Sequence, residues 1–237
     1  MDISSSLLVV ALAALIHASF QLSVSVLTML SGHAIGSKHS QARVLRLTTS
    51  FVAGVALMTI LLLSFISLVL VDVFGHDIPL LLWAAAAGLL FGVGLAVWLF
   101  YYRKSAGTSL WIPRSVATFL SDRTKATKQS AEAFGLGVSS VLGELLFIIA
   151  PMIISALVLI QLPAMWQLIG IGIYAVISLS SIVIVWVLIG GGHKLSAIQK
   201  WRESNKHFLQ FAGGSGLIVL GFYVYVMQVI SSSVGGI

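Results

Sequence analysis

The sequence predicts an all-α integral membrane protein, with six transmembrane helices in two inverted three-helix repeats and both termini extracytoplasmic. Three observations carry that reading. Six apolar runs of membrane-spanning length take up most of the 237 residues. All thirteen Lys and Arg fall in alternate loops between those runs. A single charge, Glu144, lies inside any of them, and it shares the fourth run with Pro151.

The runs are Leu7 to Leu30, Leu47 to Val71, Ile78 to Tyr102, Phe134 to Ile160, Met165 to Leu188 and Phe208 to Ile230. With 59% hydrophobic residues, 8% charged residues and a mean hydropathy of +1.08, the chain has too little polar surface to cover a soluble globule. The expected organisation is one membrane domain, 1–237: repeat one over 1–102, a basic cytoplasmic linker with an interfacial helix over 103–132, and repeat two over 133–237.

Net charge is +6, but the positions of the charges say more than their sum. Lys38, Arg43 and Arg46 lie between runs one and two. Arg103, Lys104, Arg114, Arg123, Lys125 and Lys128 lie between runs three and four, and Lys194, Lys200, Arg202 and Lys206 between five and six. The positive-inside rule places these loops in the cytoplasm, with Asp2, Asp72 and Asp77 outside. The basic balance is therefore a topology signal that adds attraction to anionic membrane lipid, and nucleic acid is not expected as a partner. The absence of cysteine removes disulfides, thiolate metal sites and thiol electron transfer. The start, MDISSSLLVVALAALIHASF, lacks a basic n-region, and its apolar run exceeds a signal peptide's core, so a retained first helix is expected.

Run one is apolar for its first ten residues and polar thereafter, with His17, Gln21, Ser25 and Thr28 on one helical face. Its serines can bond back to carbonyls a turn earlier and bend the helix. The loop SGHAIGSKHSQAR holds His33 and His39 at a spacing that matches no metal site, and neither a metal nor a cofactor is expected. In run two, Thr59, Ser64 and Ser67 are easily satisfied within a helix. Run three carries Ala84, Gly88 and Gly92 as a small-residue stripe for close helix contact, and such Gly/Ala-rich helices also offer a homo-oligomer interface.

In the central linker, Ile112, Val116, Phe119 and Leu120 gather on one helical side of WIPRSVATFLSDR, which predicts a helix lying on the cytoplasmic leaflet or, alternatively, one that docks a partner. Leu195, Ile198 and Trp201 repeat the pattern between runs five and six. Run five reads as a packing helix, and GLIVLG of run six echoes GLLFG of run three.

Glu144 organises the functional reading. A carboxylate at the bilayer centre costs about 2.5–3.5 kcal/mol on insertion scales, so it is kept only with a partner or a task. Pro151 lacks an amide donor and is expected to bend or break its helix, and interrupted helices at membrane depth are how many transporters build a site. An odd number of spans per half inverts the second half relative to the first. His17 lies ten residues after Leu7 and Glu144 ten after Phe134. At about 1.5 Å per residue, both reach about 15 Å deep, from opposite surfaces. His17 and Glu144 are therefore the candidate proton- or cation-handling pair, with Gln21, Ser139 and Ser140 beside them. The structural alternative makes Glu144 a hydrogen-bonded tie between helices and pairs His17 with a serine.

Six spans in inverted halves, a first helix running into LSGHAIG, a proline in the fourth helix and a last segment ESNKHFLQFAGGSGLIVLG together resemble the lysine exporter superfamily. That superfamily includes the membrane domain of disulfide electron carriers and several metal exporters. SFQLSVSVLTMLSGHAIG is similar to the first helix of the disulfide-carrier branch, whose Pro-Cys pairs are replaced here by Ser23 and Ser25 and by Pro151-Met152. The resemblance implies the fold of a cysteine-less, divergent member, and without the thiols the electron-carrier activity is not carried over. The expectation is a secondary transporter in a prokaryotic cytoplasmic membrane, exporting a small polar solute or cation by alternating access, and not an enzyme. The alternative is a non-transporting scaffold or assembly factor acting through its basic loops.

Overall fold

The computed structural model describes residues 2–20, 22–36, 41–101, 114–193 and 195–231, and these are helical with no strand among them. In chain order the helices are α1 (Ile3–Ser19), α2 (Leu22–Gly36), α3 (Gln41–Phe74), α4 (Leu80–Ala96), α5 (Arg114–Ala126), α6 (Ser130–Leu159), α7 (Ala164–Ser178), α8 (Ser180–Gly190) and α9 (Leu195–Val224). Helices α4 and α9 each run on into a π-helical turn, Val97–Tyr101 and Tyr225–Ile230.

Among the described residues, four stretches are long and apolar enough to cross a membrane: α3, α4 with its π turn, α6, and the last part of α9 with its π turn. Two bent pairs, α1–α2 at 44° and α7–α8 at 50°, raise the number to six if each pair is one span. Leu61, Phe65, Leu68 and Val73 of α3 and Leu168, Val176, Val219 and Phe222 of the later helices stand more than half exposed. A soluble surface of such side chains would associate, and these long apolar helices are consistent with an integral membrane protein.

Local chemistry marks the helix ends. The Asp2 side chain accepts from the Ser5 amide and starts α1. Gly75, at φ 69°, closes α3 in the left-handed region, where a side chain would be strained. The Glu132 carboxylate accepts from the amides of Lys128 and Gln129 at 2.7 and 3.0 Å, completing the capping box that starts α6.

Helices α3 and α6 run parallel along their whole length. Arg43 donates to the Lys128 carbonyl at one end, and at the other His76 Nδ1 lies 2.7 Å from the Ile160 carbonyl. Between these points the two backbones touch, because a Cβ on Gly54 would collide with the Phe134 carbonyl and one on Gly137 with the Phe51 carbonyl. Helix α4 packs antiparallel on α9, with Gly94 against Gly214 and Ile218, and Gly221 against Leu90 and Ala87. Since α4 folds back from α3, α9 points the same way as α6. The stripe expected for close helix contact was Ala84, Gly88 and Gly92. Gly88 and Gly92 instead face open space, and Ala86, Ala87, Leu90 and Gly94 form the packed face.

Three further expectations change. Pro151 does not break its helix: α6 continues through it, fully surrounded from Ile154 to Leu159, and Ser155 Oγ donates to the Pro151 carbonyl at 2.9 Å. Proline removes one hydrogen bond, and the packing of this half of α6 outweighs that loss. Helix α5 begins at Arg114, and residues 111–113 of the expected interfacial segment lie outside the described part. Its apolar ridge, Val116 and Leu120, meets Gly143 of α6 and Leu22 of α2, so that ridge packs against protein, and among the described residues of the predicted side Phe119 is left outward. Lastly, the amphipathic segment around Ile198 and Trp201 is continuous with the final span, both belonging to α9.

Candidate functional site

The bent pair α1–α2 is interrupted where α1 ends. Phe20 is extended (φ −85°, ψ 126°) and α2 starts at Leu22, which leaves the first amides of α2 without carbonyls a turn earlier. Glu144, at the middle of α6, fills that gap: its Oε1 accepts the Ser23 amide. A carboxylate from another helix thus caps a half-helix inside the bundle, facing the positive end of its dipole.

The other carboxylate oxygen faces His17 in the last turn of α1. Glu144 Oε2 lies 4.0 Å from His17 Nε2, at the limit of an ion pair and beyond a direct hydrogen bond. On the far side of the ring, His17 Nδ1 is 3.0 Å from the Tyr174 hydroxyl of α7. Either of those two atoms can donate, depending on the imidazole tautomer. Ser23 Oγ lies 3.1 Å from Ser140 Oγ, and Ser140 donates to the Gly137 carbonyl one turn before Glu144. His17, Glu144, Ser140 and Tyr174 are all buried, the first two at 5% and 3% exposure.

The result is a chain of polar groups, Tyr174 to His17 to Glu144 to the start of α2, drawn from four helices. Such a chain has the groups to hold a proton or a cation between His17 and Glu144, next to the cap of α2. Among the described residues no three His, Asp or Glu side chains gather to hold a metal ion.

Of the residues expected here, His17, Glu144 and Ser140 come together. Gln21 lies outside the described residues. Ser139 does not join them. It bonds to the Gly135 carbonyl and lines a separate cavity of about 300 Å³ between α5 and α6, with Phe119, Arg123, Thr127 and Glu132. The helical period explains the difference, since residues four apart share a face and residues five apart do not.

Tyr174 and the Ser23 amide were not expected. Tyr174 was readable by the depth count that located the other two, because it lies nine residues after Met165 at the start of the fifth run. No such signal exists for the Ser23 amide, which becomes a donor only because the helix breaks. Comparison with protein-family models, with curated proteins and with solved structures finds no match for this chain.

Proposed function

We propose that this chain is a secondary transporter of the cytoplasmic membrane, exporting a small polar solute or cation by alternating access around Glu144 and His17. One observation carries the reading: a buried carboxylate from α6 caps the break between α1 and α2. A cargo cation or a proton bound at the carboxylate withdraws negative charge from Oε1, the oxygen that accepts the Ser23 amide. Occupancy therefore loosens the start of α2, and α2 reorients about the extended Phe20. Tyr174 holds the far side of His17 and keeps its Nε2 turned toward the carboxylate.

The wider reading is six spans in two inverted halves with outside termini, as in the lysine exporter superfamily. Pairing of helices supports it. A two-fold that exchanges spans one and four, two and five, and three and six maps the α3–α6 pair onto α1–α7 and leaves α1–α6 and α4–α9 on themselves. All four of these pairs are in contact. Orientation is tested with an impermeant thiol reagent on intact cells: a cysteine at Ser5 should react and one at Ser115 should not, and labelling of Ser115 overturns the topology.

Function is tested in proteoliposomes carrying a pH-sensitive dye, with gradients of small amines, inorganic cations and neutral polar solutes applied in turn. Glu144→Gln keeps an acceptor for the Ser23 amide but loses the charge. Coupled flux should fall at least about tenfold, the effect of about 1.4 kcal/mol. Full flux of Glu144→Gln at every pH, or no flux of wild type with any solute, overturns the proposal.

A further inference from the structure

Helices α8 and α9 follow one another in the chain across a short turn, yet among the described residues they stand apart, and each meets α1 instead. The gap between them is a groove of about 940 Å³, at the upper end of the range for small-molecule sites. Its walls are apolar: Leu12 and Leu15 of α1, Ile184 and Leu188 of α8, Phe208 and Val219 of α9. Its floor lies where Gly213 and Gly216 bring α9 against α1, since a Cβ at Gly213 would meet Ser19 Oγ and one at Gly216 the Ile16 side chain. An apolar hollow of this size offers few partners to water, and hydrocarbon fits it.

The two ends of the groove differ. From Phe208 to Tyr223 it runs within the membrane-length apolar stretch His207–Ile230. At about 1.5 Å per residue that part is about 22 Å long, enough for an acyl chain of one leaflet, which fills about half of a core of about 30 Å. The other end, ahead of that stretch, is lined by His193, Ala197 and Trp201, all exposed. Here the segment 190–207 carries Lys194, Lys200, Arg202 and Lys206 against a single acid, Glu203. An indole suits the headgroup level of a bilayer, and a basic segment there attracts anionic headgroups.

We propose that this groove binds an anionic phospholipid, with one acyl chain lying between α8 and α9 and the phosphate at the end marked by His193 and Trp201. Lipid tails are as apolar as the groove, so the chain supplies fit and the headgroup charge supplies the preference. A zwitterionic lipid of the same chain length has the fit without the net charge. The site is independent of the transport reading, because it uses neither Glu144 nor His17.

Native mass spectrometry of the purified full-length chain, given equal amounts of phosphatidylglycerol and phosphatidylcholine with matched chains, tests this. Wild type should hold one phosphatidylglycerol, preferred by about fivefold or more, the effect of about one cationic side chain near a headgroup. Ala212→Phe, which fills the groove from α9, should lose that lipid, while Leu68→Phe on the exposed face of α3 should keep it. If Ala212→Phe fails to fold, Ala197→Glu, at an exposed position of the basic end, should bind the two lipids alike. No lipid on wild type, equal retention of the two lipids, a preference that survives the groove substitutions, or its loss in Leu68→Phe overturns the proposal. So does a dimer that gives way to monomer in Ala212→Phe, which would assign the groove to a second copy of the chain.

Discussion

Two helix pairs of this protein bend, and they bend differently. Between α7 and α8 the chain turns by 50° at Leu179, yet Leu179 keeps helical dihedrals, its amide still finds the Ala175 carbonyl, and the Val183 amide finds the Leu179 carbonyl. That bend loses almost no backbone hydrogen bonding and needs no side-chain cap. Between α1 and α2 the chain passes through extended Phe20, and the Ser23 amide depends on a carboxylate from α6. In a low-dielectric interior an orphaned amide is costly, so the second kind of break persists only because Glu144 is there. A bend that satisfies itself reads as packing. A break that borrows its cap from another helix links that helix's charge state to its own geometry.

Several substitutions probe that contrast, beginning with the largest effect. Glu144→Leu removes the cap as well as the charge, leaving the Ser23 amide unsatisfied. Thermal unfolding of the purified protein should register a loss of about 1–3 kcal/mol, whereas Glu144→Gln should stay near wild type. Equal stability of the Leu and Gln variants would mean that the first break is as self-sufficient as the second.

A double-mutant cycle of Glu144→Gln with His17→Gln, read in flux, should show coupling of about 0.5–3 kcal/mol. Additive losses would remove His17 from the site. Tyr174→Phe deletes one buried hydrogen bond to His17 and should cost about 0.5–1.5 kcal/mol. No change in stability or flux would assign the hydroxyl to packing alone.

At the other bend, Ser178 Oγ bonds, among the described residues, to the Ala175 carbonyl within its own helix. Ser178→Ala should therefore change stability by less than about 0.5 kcal/mol. A larger effect would show that this bend too relies on side-chain capping.

The smallest effect lies at the far end of α1. Hydrogen bonding from Ser5 holds the Asp2 carboxyl below its ordinary value. A group with a lowered value contributes stability that is present above the unfolded value of about 3.9 and is lost as pH falls through the folded one. Amide exchange in the first turn of α1 should quicken below about pH 4 in wild type, and Asp2→Asn should abolish that step. Identical profiles for the two would detach the start of α1 from this cap.

The runs, the alternation of charge and the burial of Glu144 and His17 were legible in the sequence, because each follows from hydrophobicity and residue counting along a helix. Depth is a one-dimensional property, and the same count would have reached Tyr174. Which helix breaks was not legible. Pro151 points to α6 by local chemistry, but the packing around Ile154 to Leu159 keeps that helix whole, while α1 opens at Phe20 where no Pro or Gly stands. A backbone break is decided by who can satisfy the freed amides, and that acceptor comes from a residue 121 positions away in the chain. Ser139, Gly88 and the ridge of α5 differ from expectation for a related reason: periodicity says which residues share a face, and only tertiary packing says what that face meets. The sequence by itself determined what must be buried and how deep. The fold decided which buried groups meet, since contact between helices depends on their crossing and rotation, which no single helix encodes.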